Sequence, residues 1–229
     1  MQYSIENNIT IIIPTYQAGL VLKNCLESIG NKFHVLIIDG NSDDNTLEIA
    51  RKKGASVFQS PILGRGSQLS YGASLTNSDW LLFLHADSVL DHKWEDEVKE
   101  FIITKNSENI AGVFKLKFNS NKIMSKVLEF SVYLRNKFFN LPYGDQGLLI
   151  SNYLYNKIGG FSDRPIMEDL ELIERLGKKN IFFLNSFITT SYSKYKQDGY
   201  LLRVVKNLIC LVSYKLNLPI KYIHWLYGK

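Results

Sequence analysis

Cysteine is scarce in this chain, and its scarcity excludes several architectures. Cys25 and Cys210 are the only two in 229 residues. They lie far apart and form neither a CxxC nor a metal-type spacing, so a disulfide framework, a zinc finger and a dithiol redox motif are not what organises the fold. Both are expected to be buried small hydrophobes in a reducing compartment. Long apolar runs are also missing, since charges interrupt each one well short of the roughly 18 residues that a membrane span requires. The segment Met1 to Glu6 lacks the basic stretch and apolar core of a signal peptide. A cytoplasmic chain is therefore expected, or one peripheral at the inner face of the membrane. No G-x-x-x-x-G-K-[ST] loop occurs, and no G-x-G-x-x-G follows the first apolar run, which disfavours a kinase-type P-loop and a dinucleotide dehydrogenase.

Acidic residues nearly vanish after Gly177, where nine lysines and arginines are opposed by Asp198 alone. Leu201, Val204, Val205, Leu208, Leu211 and Val212 interleave with these cations at helical spacing, and Tyr222, Trp225 and Tyr227 follow. The pattern fits either a helix lying on an anionic membrane surface or a C-terminal helix docking its apolar stripe on the core. No zinc-finger or RNP-like motif accompanies the lysines, so nucleic acid is not an expected partner.

A 45% apolar and 21% charged composition is that of a globular chain with one substantial core. Trp80-Leu-Leu-Phe-Leu-His85-Ala-Asp87 is an apolar strand running into a polar turn. A strand buried on both faces reads as a continuous apolar run, so the polar break marks the carboxyl edge of a sheet, where open α/β sheets bind ligands. Ile9 to Ile13 ends in the same way at Pro14-Thr15, and Val35 to Ile38 at Asp39-Gly40. The three ends could converge on one crevice.

Helical spacing of Leu22, Cys25, Leu26 and Ile29, and a helix from Thr46 stopped by Gly54, separate these strands. A short strand at Ser56-Val-Phe58 and a Gly64-Arg65-Gly66 loop before another helix complete the first half. Strands separated by single helices are βαβ units, so a mostly parallel sheet is expected to Asp87. Beyond it the pattern predicts helices over 93–104, 123–139, 152–158 and 168–176, with strands over 112–118 and 147–150. No linker is visible. One domain over residues 1–229 is expected, comprising a nucleotide-binding half (1–90), an acceptor or catalytic half (91–177) and a basic helical extension (178–229).

Ile11-Ile-Ile-Pro14-Thr15, Ile37-Ile-Asp39-Gly-Asn-Ser-Asp-Asp-Asn-Thr46, Leu84-His-Ala-Asp87, Ile158-Gly-Gly-Phe161 and Met167-Glu-Asp169 follow one another in a characteristic order. In that order and spacing the chain resembles family-2 glycosyltransferases from Ile9 to Leu176. The Gly64-Arg-Gly-Ser-Gln68 and Tyr143-Gly-Asp-Gln-Gly147 segments resemble a small soluble bacterial branch with His-Ala-Asp in place of Asp-x-Asp. The resemblance implies a GT-A fold and an inverting transfer of a sugar from a nucleotide-diphosphate donor, UDP-linked first, to an acceptor hydroxyl. Mn²⁺ or Mg²⁺ is the implied cofactor. A lipid, a glycan and a small molecule all remain open as acceptor.

Residue types match those needs. Asp39 can accept a hydrogen bond from a nucleobase imide N–H, with Pro14 and Thr15 bordering the same pocket, or it is a turn carboxylate of Asp-Gly-Asn-Ser. The Gly64-Arg65-Gly66 segment can offer backbone N–H groups and a guanidinium to phosphate oxygens, or is a plain turn. Asp87 suits a hard cation that is bound through one or two carboxylates plus substrate phosphates. The departure at position 85 leaves His85 as a metal ligand, a diphosphate contact or a strand-end filler, with Ala86 between the two. By resemblance Asp169 is the general base, and Glu168 binds acceptor or holds the helix start. In an isolated sequence both carboxylates would pass for ordinary helix-dipole complements. Asp145 and Gln146 line the sugar or acceptor pocket, or form a hairpin turn. His224 could reach the site if the tail folds back. A nucleotidyltransferase and a noncatalytic nucleotide-sugar or membrane-surface protein are the alternatives. The first would normally place a Gly-rich basic loop where Pro14-Thr-Tyr-Gln-Ala-Gly19 stands.

Overall fold

The alternating isoleucines of β1 (Ile9–Thr15) send side chains into apolar layers on both faces of a sheet. Ile9, Ile11 and Ile13 enter one layer and Ile12 the other. The structure, a computed structural model, describes residues 5–164, 166–191, 199–216 and 218–219. β1 is flanked by β2 (His34–Asp39) and β4 (Trp80–Phe83), and β2 by β3 (Ser56–Gln59), all parallel. α1 (Leu22–Ile29), α2 (Thr46–Lys52) and α3 (Arg65–Ser74) make the crossovers. The strand order therefore reverses beside β1, and the switch point between β1 and β4 opens a crevice at the carboxyl edge.

The sheet continues past β4 with antiparallel β7 (Leu148–Ser151), then β6 (Ala111–Phe118), β8 (Ile181–Thr190) and the two-residue β5 (Val89–Leu90). The full order is β3-β2-β1-β4-β7-β6-β8-β5. α1, α2 and α4 (Trp94–Ile103) cover one face through Leu22, Cys25, Ala50, Trp94 and Val98. α3, α6 (Asn152–Lys157) and α7 (Glu168–Leu176) cover the other through Leu69, Leu154, Leu170 and Ile173. α5 (Ile123–Phe139) and α8 (Tyr200–Lys215) lie outside these two layers over most of their surface.

Three expectations require correction. β1 does not stop at Ile13 but carries Pro14 and Thr15 in register with Ile38 and Asp39. The O atom of Ile12 accepts from the Leu84 N–H. Pro14, two residues on, presents its missing donor to the same side, past the end of β4, where no ladder bond is lost. Arg65 and Gly66 are not in a loop but form the first turn of α3. The segment after Gly177, read as a helical tail, first supplies β8, a ten-residue strand of the sheet, and becomes helical at Tyr200. Cys25 and Cys210 are both buried thiols. Among the described residues no helix is long and apolar enough to cross a membrane. His224, Tyr222, Trp225 and Tyr227 lie outside the described residues.

Candidate active site

The ends of β1 and β2 are tied together by Asp39, which is 1% exposed. Its Oδ1 accepts from Thr15 Oγ1 and Ser42 Oγ, each at 2.7 Å, and its Oδ2 from the Ser42 N–H at 2.7 Å. The turn expected of Asp-Gly-Asn-Ser is therefore formed. Because two carboxylate oxygens offer about four acceptor positions, capacity for a further donor remains. Gln68 of α3, also buried, donates through Nε2 to the carbonyls of Thr15 and Ile38 at 2.9 and 2.7 Å and holds both strand ends.

α3 begins where it does because of two glycines. Gly64, at φ 130°, sits in backbone space that disfavours other residues. A Cβ on Gly66 would stand 2.4 Å from the Ser162 carbonyl oxygen and 3.1 Å from Glu168 Cβ. Only a glycine lets α3 pass this close to the start of α7. Across that contact the Arg65 Nε donates to Glu168 Oε1. Glu168 is 1% exposed and its Oε2 has no partner. Burial pushes its carboxyl above the ordinary range, against the pull of Arg65, and neighbouring Asp169 adds to the rise. Glu168 thus clamps α3 to α7, which fits the helix-start reading of that residue.

Asp169 is held differently. Met167 precedes α7 in left-handed backbone (φ 61°, ψ 21°), an uncommon conformation for a non-glycine residue that recurs at functional sites. The Asp169 Oδ2 accepts from the Gly144 N–H at 2.7 Å and Oδ1 from the Leu170 N–H at 2.8 Å. A Cβ on Gly144 would approach His85 Nε2 to 2.9 Å and Asp169 Oδ2 to 3.2 Å, so this glycine brings the backbone against both side chains. His85 and Asp87 follow β4, and Asp87 Oδ2 accepts from Thr190 Oγ1 at the end of β8 at 3.1 Å. Arg65, His85, Asp87, Asp145 and Asp169 line one crevice; of the three strand ends only that of β4 leads into it, and Thr15 and Asp39 are not among its lining residues. Ala86 instead packs against the core.

Gln146 departs from its expected place. It is fully buried, donates to the Phe114 carbonyl at 2.9 Å, and accepts from Arg135 and Asn136 at 3.0 and 3.2 Å. Its amide is consumed inside the protein and positions Arg135 rather than lining the crevice. Arg135 is the residue that sequence reasoning missed. Its guanidinium stacks 3.5 Å over the Tyr143 ring, its Nε is buried without a partner, and both side chains line the crevice. Burial pushes Asp145 up to about 6; Arg135 opposes the rise, while Asp169 and Asp87 add to it. The Asp145 Oδ1 is buried without a partner. Three carboxylates, of Asp87, Asp145 and Asp169, face two guanidiniums, of Arg65 and Arg135, in the crevice. With Asp87 as a hard-oxygen donor, that set fits a divalent cation shared with phosphate oxygens. Among the described residues no group of three or more His, Cys, Asp or Glu side chains is close enough to hold a metal without such help.

Residues 10–169 match the family model described as glycosyl transferase family 2. An uncharacterized glycosyltransferase of Rickettsia conorii is 30% identical over 118 residues, 51% of this chain and 42% of the relative. The chain thus spans less than half the length of that relative. The crystal structure of S. aureus TarS 1–349 in complex with UDP superposes with a TM-score of 0.59 at 17% identity, covering 96% of this chain and 69% of that one. The mannosyltransferase PcManGT from Pyrobaculum calidifontis, in complex with GDP-Man and Mn²⁺, gives 0.67 at 13% identity, covering 96% and 68%. These likenesses establish a GT-A type α/β fold. With the motifs in order along a matching 10–169 segment, the chain belongs to glycosyltransferase family 2.

Proposed function

We propose that the chain is an inverting glycosyltransferase that moves a sugar from a nucleotide-diphosphate donor, a UDP-sugar first among them, to an acceptor hydroxyl. The observation that carries this reading is Asp169, a carboxylate anchored by two backbone N–H groups in the same crevice as His85, Asp87 and Arg65. TarS with UDP and PcManGT with GDP-Man and Mn²⁺ supply the donor and metal chemistry by likeness. The base would sit at Thr15 and Asp39, the remaining acceptor capacity of Asp39 meeting an imide N–H. Asp87, with His85 beside it, would hold a divalent cation, which when bound neutralises charge gathering on the departing diphosphate. Arg65 adds positive charge on the same side.

The acceptor oxygen attacks the anomeric carbon as its proton passes to Asp169, and the bond from that carbon to the diphosphate oxygen breaks. A single displacement inverts the configuration. Two backbone donors fix the Asp169 carboxylate before the acceptor arrives, so little reorganisation is needed during transfer. Asp145 and Tyr143 would border the sugar or acceptor.

Asp169→Asn tests the base. The expected outcome is loss of donor turnover by about a hundredfold or more, the scale of general-base catalysis, with nucleotide affinity by calorimetry nearly unchanged. Equal loss of binding and turnover would remove Asp169 from that role.

A further inference from the structure

Helices that dock on a protein core bury an apolar stripe and show polar residues to water. α5 and α8 dock only narrow stripes, Leu128 with Val132 and Cys210 with Leu211 and Tyr214, and leave larger apolar sets outside. The buried residues of the seventeen-residue α5 are Ser125, Leu128 and Asn136, whereas Ile123, Val127, Phe130, Phe138 and Phe139 are exposed. On α8 the buried side chains include Cys210 and Ser213, while Leu202, Val205, Leu208 and Val212 stand in solvent. Phe130 is 59% and Leu208 58% exposed. Scattered single apolar side chains on a surface need no explanation, but two helices that each expose this many apolar side chains mark a contact.

The charge around this face identifies its partner. On α5 and the residue before it stand Lys122, Lys126 and Lys137 against Glu129 alone, and the described side chains of α8 add Lys206 and Lys215 with no acid. Two copies of the chain meeting here would bring like charges together. An anionic bilayer would instead attract each cation near its surface while burying the apolar side chains at the headgroup boundary. The two helices also share the crevice, since Val132 and Arg135 of α5 and Asn207 of α8 line it.

We propose that α5 and α8 form one docking face for an anionic lipid bilayer, which sets the mouth of the crevice at headgroup level. The face rests on exposure and charge and goes beyond the transfer reaction. Neither helix spans the bilayer; both lie in its plane.

Co-sedimentation of the full chain with phosphatidylcholine vesicles, with and without phosphatidylglycerol, tests it. Binding is expected to the anionic vesicles and to be weak to the neutral ones. Phe130→Glu and Leu208→Glu should each lower partition by about tenfold, the order expected for withdrawing one large apolar side chain from the interface. Ile103→Glu alters an equally exposed residue at the end of α4, outside the face, and should leave partition unchanged. Thermal melts and UDP titration of the same preparations separate loss of docking from loss of fold or of the donor site. Absence of binding to anionic vesicles, or equal loss with Ile103→Glu, overturns the proposal. So does a dimer in sedimentation equilibrium that Phe130→Glu dissolves, since the face would then belong to a second copy.

Discussion

Asp145 has an unpartnered buried oxygen and a carboxyl pushed up to about 6. In an unfolded chain its value would be near 3.8, so between those values the folded state holds a proton that the unfolded state has released. Stability from this group is therefore fullest below the unfolded value and falls as pH rises through about 6. The loss by neutral pH is about 2–3 kcal/mol. Asp145→Asn should recover much of it at pH near 7 and nothing near pH 4, read by chemical denaturation; no gain at neutral pH would contradict the burial of its carboxylate. Asp87→Ala should abolish any Mn²⁺ enhancement of UDP binding in calorimetry, and an unchanged enhancement would move the cation elsewhere. At this scale the sequence was legible where a residue closes a strand, as at Asp39, the last residue of β2. It was silent on Gln146 and Arg135, whose roles arise from a bond between a turn and a helix face eleven residues apart, a pairing with no periodic signature.

At the scale of elements, the contact between α3 and α7 joins the donor side of the crevice to Asp169. Gly66→Ala would drive a Cβ onto the Ser162 backbone oxygen, which cannot rotate away. Such overpacking costs about 1–3 kcal/mol. The predicted outcome is a lower melting temperature with weakened nucleotide binding, because Arg65 shifts with the helix; wild-type stability would show that the contact yields easily. Helix bounds were legible where apolar period and punctuation agree, as in α5 and in α7, which runs to Leu176 before Gly177. The first turn of α3 was not, because Gly64-Arg65-Gly66 has loop composition and becomes helical only through its packing on α7. β8 was missed because exposed Phe182 falls on the side of buried Leu184 and half-buried Phe187 on the other, which blurs the alternation, and because the basic charge that follows dominates its surroundings. β5, two residues long, has no pattern to read.

For the whole molecule, one sheet carries both halves of the chain, and residues from α3 to α8 meet in one crevice at its edge. The parallel half was legible as βαβ units. The mixed half, where β7 runs antiparallel between β4 and β6, needs contacts far apart in sequence. A site assembled from separate elements in this way should respond to its donor as a unit, and binding to the folded state alone raises the melting temperature. The most direct measurement is calorimetric titration and thermal shift of the purified chain against UDP, GDP, CDP and TDP sugars, with and without Mn²⁺. Selective binding of one nucleotide sugar, UDP-linked first, strengthened by the metal, is the predicted result. A folded sample that binds none of them would contradict the assignment of this crevice to nucleotide-sugar transfer.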